Sequence, residues 1–306
     1  MAERRLALKI DVDTWRGTRE GVPRLLRILQ KHGLRATFLF SLGPDHTGRA
    51  IRRVFRKGFL QKVSRTSVVE HYGLRTLLYG TLLPGPDIGR REAGLLRSVR
   101  AAGHEVGIHC WDHIRWQDNV VDADADWTAR EMQRAAERFA EIFAQPPLTH
   151  GAAGWQMNRA AYLLERELGF DYASDVRGVG PFQPVDDAGK PIGVPQLPTT
   201  LATLDELIGL DGLTAANVDQ HLLSQTTALA GPQVYTLHAE LEGMRLDATF
   251  ERLLVGWRDQ GYRLGSCCDL FETLDTTTLP RHRLAYGELP GRSGHLALQG
   301  ELYRVA

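Results

Sequence analysis

The chain has 306 residues, 43% of them hydrophobic and 24% charged, enough for one large globular domain with a substantial core. Lysine plus arginine equals aspartate plus glutamate at 37 each, so net charge selects no polyionic partner, and with no known nucleic-acid motif the chain is not expected to bind nucleic acid. Three cysteines, with Cys267 and Cys268 adjacent, argue against a disulfide framework and fit a reducing, cytosolic compartment.

The first residues hold no apolar segment of signal-peptide length, and no later run is long enough to span a bilayer. Any membrane contact is therefore expected from the surface. Residues 6–10 are an apolar run that reads as a buried strand, with Asp11 and Asp13 at its exit. Residues 22–32 read as a helix, with Pro23 in its first turn and Gly33 at its end. Residues 36–41 form the next strand. A helix over 91–102 stops at Gly103, and a strand over 105–109 follows. A long helix over 127–144 ends at Pro146 and Pro147. A helix over 158–168 and a strand over 171–174 come next. Residues 178–198, rich in Gly and Pro, read as a long loop. Residues 233–238 read as a strand, 248–259 as a helix and 262–265 as a strand; 276–306 form a tail of unassigned fold. This alternation predicts a single α/β domain with a largely parallel sheet.

The chemistry-bearing residues follow strand ends: Asp11, Asp13, His109, Asp175 and His238. In a barrel of parallel strands that is the end where sites form. His109 and His113 are four apart, and on a helical turn they would share a face with Cβ atoms roughly 5–6 Å apart. Two imidazoles and one carboxylate suit a divalent metal of the zinc type, and a second carboxylate is left to act as a base. Each motif alone also has an ordinary reading. Aspartates after a strand often cap the next helix, and a histidine pair beside Trp111 and Trp116 could be partly exposed surface. Their occurrence together at strand ends favours a site.

The order Asp-x-Asp, His-x-x-x-His, then a late strand ending Leu-His resembles the polysaccharide deacetylase family, carbohydrate esterase family four, over roughly residues 5–270. The resemblance implies a distorted (β/α) barrel and a metal-dependent amide hydrolase. It makes Asp11 the general base, Asp13, His109 and His113 the ligands of one divalent ion, and His238 the general acid. Zinc, cobalt and manganese all suit that donor set. Four further runs, at 11–23, 152–155, 174–178 and 238–243, resemble one branch of the family. Its members deformylate 4-deoxy-4-formamido-L-arabinose carried on undecaprenyl phosphate, at the cytoplasmic face of the bacterial inner membrane. The free amine is later moved onto lipid A, which lowers surface charge and resists polymyxin. Many family members carry Arg-x-Pro in the third motif, where the arginine orients the base. Here that region reads His-Gly-Ala-Ala-Gly-Trp, so Arg177, beside Asp175, is the expected substitute, with a structural ion pair as the other reading. Trp155 is the expected wall that separates formyl from acetyl, or else a core tryptophan.

Residues 46–84 interrupt the rhythm as an insertion. Eight basic residues stand there against Glu70 alone, a local charge of about +7. Ile51, Val54, Phe55, Phe59 and Val63 fall on one helical face, while Arg49, Arg52, Arg53, Arg56 and Lys57 cover the rest. A basic amphipathic helix of this kind is expected to lie on an anionic membrane surface or grip the lipid phosphate; the alternative is a solvated helix packed on the barrel. Two other functions remain open: a deacetylase of another amino sugar or polysaccharide, and a non-catalytic lipid-carrier binding protein.

Overall fold

The computed structural model describes residues 3–50, 75–292 and 294–304. Strand β1 (Arg5–Val12) lies at its centre and is buried along most of its length. Its even positions, Leu6, Leu8, Ile10 and Val12, join the main hydrophobic core. Its odd positions, Ala7, Lys9 and Asp11, point to the other face, because successive side chains alternate along a strand. Helix α1 (Val22–His32) starts at Pro23's turn and buries Val22, Leu25 and Leu29. It stops at Gly33, whose φ of 61° is left-handed.

Strand β2 (Thr37–Ser41) is wholly buried. The helix predicted over 91–102 is two pieces, a short turn at Ile88–Arg91 and α2 (Ala93–Ala101). Glu92, whose carboxylate accepts from Trp15 Nε1 at 2.6 Å, leaves the helical region between them with φ −112°. Strand β3 (Glu105–Cys110) leads into α3 (His113–Asn119), which is capped by Asp112. Helix α4 (Ala125–Phe143) is capped by Asp124, strand β4 (Thr149–His150) follows, and α5 (Arg159–Glu167) is capped by Asn158. Further elements include β5 (Tyr172–Ala173), β6 (Gln183–Val185), a short helical turn at Leu204–Leu207, α6 (Val218–Thr227), β7 (Gln233–His238), α7 (Asp247–Asp259), β8 (Arg263–Gly265), a second short turn at Cys267–Phe271, β9 (Arg281–Gly287) and β10 (Leu296–Leu302).

Among the described residues, parallel pairing runs in the order β5-β4-β3-β2-β1-β7, a half-barrel with helices packed on its outer face. β7 takes one edge of β1 over residues 6–11. The other edge is shared: β8 pairs with residues 5–7 and β2 with 9–12. This fork distorts the barrel.

Two stretches differ from the sequence expectation. The long loop expected over 178–198 contains β6, which pairs in parallel with β9, and β9 pairs antiparallel with β10. The tail left unassigned therefore builds a second, three-stranded sheet with part of that loop. Period-2 alternation in these strands is weak, because both β9 and β10 are largely half-buried rather than two-sided. The basic positions Arg52, Arg53, Arg56 and Lys57, with the expected amphipathic helix, lie outside the described residues.

Candidate metal centre and active site

Asp11 and Asp13 project from the end of β1 on the same face as Lys9, at i, i+2 and i+4. His109 belongs to β3, two strands away in the sheet. His113 is the first residue of α3. The histidines therefore meet across a strand-to-helix turn, not along one helical face as the spacing suggested; their ring centroids are 5.2 Å apart. Asp112 fixes that turn, since its side chain accepts the Arg115 N–H at 3.1 Å.

The three donors converge. His109 Nε2 lies 3.2 Å from Asp13 Oδ1, and His113 Nε2 lies 3.3 Å from Asp13 Oδ2. Ligands about 2.0–2.1 Å from a tetrahedral ion stand roughly 3.3 Å from one another, so these separations suit one cation of the zinc type. The hydrogen bonding points the same way. His109 Nδ1 lies 2.6 Å from the Gly151 carbonyl, which can only accept, so the proton sits on Nδ1 and the Nε2 lone pair is free. Asp13 Oδ1 is buried and makes no hydrogen bond. Two lone pairs facing each other at this distance repel unless a positive charge lies between them. Burial alone would push the Asp13 carboxyl up, but His113 and His109 outweigh it and hold it far below the usual carboxylate range. The His109 imidazole, which burial would push down, is raised by Asp11 and Asp13.

Asp11 and His238 face each other across adjacent strands as register partners of β1 and β7. Asp11 Oδ2 pairs with Lys9 Nζ at 3.4 Å, while Oδ1 is buried without a hydrogen bond, 3.9 Å from His109 Nδ1. His238 Nδ1 is 3.9 Å from Asp205 Oδ1. Asp205 is in turn held by Arg292 at 3.1 Å. Arg292 comes from the turn between β9 and β10, so the second sheet reaches the His238 side of the site.

Arg177 is not placed as the sequence suggested. Its guanidinium reaches Glu206 at 2.5 Å and the Leu201 carbonyl at 3.0 Å. Asp175 is taken by His150 Nδ1 at 2.7 Å, the Ala152 N–H at 2.8 Å and Gln196 Nε2 at 3.0 Å. Burial would raise the Glu206 carboxyl, but Arg292 and Arg177 together pull it below its ordinary value. Trp155 is 1% exposed. Its ring has Arg292, Arg177 and Lys9 at 4.6, 5.0 and 5.5 Å from its centroid. Its φ of 54° is strained for a bulky residue.

Sequence reasoning missed Lys9, Glu240 and Glu242. Glu240 Oε1 accepts the Asp13 N–H at 3.1 Å and the Thr14 N–H and hydroxyl at 2.8 Å each. The approach is so close that a Cβ on Gly17 would sit 1.9 Å from the same oxygen. Burial, then the charge of Asp13, pushes the Glu240 carboxyl well above its ordinary range. Glu242 accepts the His238 N–H at 2.9 Å and the Tyr235 hydroxyl at 2.9 Å. The visible signal was two acids within the run His238–Glu242 just after a strand that reads as wholly internal.

A second buried cluster joins His150, Glu165 and Asp175. Its closest pair, His150 Nδ1 and Asp175 Oδ1 at 2.7 Å, stands well inside the roughly 3.3 Å that separates two ligands of a tetrahedral ion of the zinc type. Burial and Asp175 push Glu165 well above its ordinary value. Burial would raise Asp175 too, but His150, Glu165 and Gln196 hold it down at about 2. The cluster steadies the segment whose Gly151 carbonyl orients His109.

Known proteins resemble this chain in sequence and in fold. The profile of the polysaccharide deacetylase family matches residues 2–173. A probable 4-deoxy-4-formamido-L-arabinose-phosphoundecaprenol deformylase ArnD of Shewanella sediminis (strain HAW-EB3) is 35% identical over 97% of this chain and 95% of its own. The protein of the same name in Wigglesworthia glossinidia brevipalpis is 31% identical over 94% of this chain and 100% of its own. In fold, the chain is similar to a probable polysaccharide deacetylase from Pseudomonas aeruginosa PAO1, with a TM-score of 0.61 at 17% identity, covering 87% of this chain and 89% of the other. With the matched residues spanning more than half its length and two relatives above 30% identity end to end, the chain belongs to the polysaccharide deacetylase family.

Proposed function

We propose that this chain is a metal-dependent amide hydrolase that removes the formyl group from undecaprenyl-phosphate-linked 4-deoxy-4-formamido-L-arabinose, releasing formate and the 4-amino sugar lipid. The observation that carries the chemistry is the convergence of Asp13, His109 and His113 on one point, flanked by Asp11 and His238. The substrate is carried by the two relatives named as that deformylase, each aligned with almost all of this chain.

Asp13, His109 and His113 would hold a divalent ion, which when bound would supply Lewis acidity toward the acyl oxygen and toward water. Asp11 takes the proton of the attacking water on Oδ1, the oxygen not held by Lys9. His238 gives a proton to the departing nitrogen, without which the amine cannot leave. The carboxylate of Asp205 beside its Nδ1 favours the ring orientation that presents Nε2 to substrate. Each of these two proton transfers is worth on the order of 10²–10⁴ in rate. Trp155 closes the acyl side against the larger acetyl group.

The lipid-linked substrate calls for contact with a membrane surface, which we assign to the cytoplasmic face of the inner membrane. No helix among the described residues is long and apolar enough to cross a bilayer. Leu82, 80% exposed, lies on the described flank of the basic insertion and suits such a contact. The test is formate release from the formamido-sugar lipid, abolished by a chelator and restored by zinc, cobalt or manganese. Acetate release from acetamido sugars in its place would make the chain a deacetylase. Lipid binding without release of either acid would leave it a carrier-binding protein.

A further inference from the structure

Lys9 has no exposed surface, yet its side chain ends in an amine in the barrel interior. Such a group is retained only where partners replace its water. Its Nζ lies 3.4 Å from Asp11 Oδ2 and donates to the Ser174 carbonyl at 3.0 Å. The Trp155 ring stands on a further side. Space for it is made by Gly151, where a Cβ would come within 2.8 Å of Lys9 Cε. Ser174 follows β5, four strands from β1 in the sheet order, so the bond to its carbonyl runs across the barrel rather than along a ladder. Both ends of this brace are fixed by backbone.

We propose that Lys9 is the positioning residue for the Asp11 base: it holds Oδ2 and so turns Oδ1 toward the proton to be removed. A cation from the base's own strand thus does the work for which Arg177 was the sequence candidate, while Arg177 serves Glu206. Lys9 reaches Asp11, the Ser174 carbonyl and the Trp155 ring rather than the three metal donors, so it acts through Asp11. The rate consequence rests on the hydrolytic reading of the site, whereas the physical coupling of Lys9 to Asp11 does not.

The experiment is a double-mutant cycle in the full chain with Lys9→Met, Asp11→Asn and the pair. In the metal-free protein, Asp11→Asn strands a buried ammonium only while Lys9 is present. The melting temperature of the double variant should therefore exceed the additive expectation, by on the order of 4 °C. Additive melting temperatures overturn the coupling. In formate release by the metal-loaded protein, Lys9→Met should lower kcat about 10²-fold with KM nearly unchanged, the size expected for a misplaced reacting group. In the Asp11→Asn background the same change should cost less than about twofold. A purely structural lysine would cost the same in both backgrounds, and a Lys9→Met enzyme with wild-type kcat overturns the proposal. Should Lys9→Met not fold, Lys9→Arg and Lys9→Gln decide: the charged variant keeps kcat within about tenfold and the neutral one does not, and equal rates overturn it. A wild-type protein that releases no formate sinks the assigned activity alone, and the melting cycle then decides on Lys9.

Discussion

Replacing Asp175 with Asn tests whether the buried cluster behind the metal site is one anion sharing one proton. Asp175 Oδ1 faces two groups, the Ala152 N–H at 2.8 Å and His150 Nδ1 at 2.7 Å, so an Asn must place its oxygen there. Its NH₂ then meets Gln196 Nε2, two donors at 3.0 Å. Gln196 cannot flip to relieve this, because its Oε1 already accepts the Asp175 N–H at 3.0 Å. Asn is thus frustrated in either orientation. The lost charge-assisted bonds and stranded donors cost about 3–5 kcal/mol, which lowers the melting temperature by on the order of 10 °C. Glu165→Gln should cost under about 1 kcal/mol, since a neutral carboxyl gives way to a neutral amide that still donates. The pH dependence has a definite sign. Asp175 is depressed from 3.8 to about 2, so its contribution is whole above pH 4 and is lost as pH falls toward 2. That shift corresponds to roughly 2 kcal/mol, and the gap between wild type and Asp175→Asn should narrow by that much over this window. Glu165 is raised instead, so wild type should lose ground to Glu165→Gln as pH rises above the ordinary carboxyl value of 4.5, where only the unfolded chain gives up that proton. Thermal unfolding followed by circular dichroism at pH 2.5, 4, 7 and 9 measures all of this. Equal destabilisation by the two variants at pH 7 would mean Glu165 is ionised, and the shared-proton account fails.

Glu240 offers a parallel contrast at the ligand turn. Glu240→Gln should be tolerated, whereas Glu240→Ala removes the acceptor of three donors and should weaken zinc binding about 10–100-fold by calorimetry. His113→Ala should abolish zinc binding at micromolar metal while its circular dichroism stays native, since the side chain is part-exposed and not in the core. Trp155→Ala should admit acetamide substrates and raise acetate release at least about tenfold relative to formate; an unchanged ratio removes its role as a wall. Arginine-to-glutamate changes at Arg52, Arg53 and Arg56 should abolish binding to anionic vesicles, with each reversal worth about 1 kcal/mol or more, and co-sedimentation that survives them rejects the membrane assignment.

The outer layer of this fold was legible because its signals are local. Pro23 and Gly33 bracket α1. β7 begins and ends at the residues that its pattern predicted. The second sheet was not legible, because β6, β9 and β10 are each stabilised by partners distant in sequence and have no fully buried face to set a period. The meeting of His109 and His113 shows the same limit at the site. Spacing gives their proximity, but only the turn capped by Asp112 shows that one is on a strand and the other on a helix.

Lys9, Asp11 and Asp13 carry this point furthest. Read as part of an apolar run, Lys9 is an interruption; read with period 2, it is the first of three polar side chains on one face of a buried strand. A fully internal strand normally presents apolar side chains to both layers, so a polar face there must be matched by charges on other strands. The sheet meets that demand: His109 from β3, His238 from β7 and the Ser174 carbonyl beyond β5 all turn to the same interior space. The even face of β1 meanwhile stays wholly apolar against the helices. One strand thereby serves both layers, its even positions holding the barrel to its helices and its odd positions assembling the chemistry. A single-residue slip in the pairing of β1 would bury Lys9 and Asp11 among the helices and destroy fold and site together.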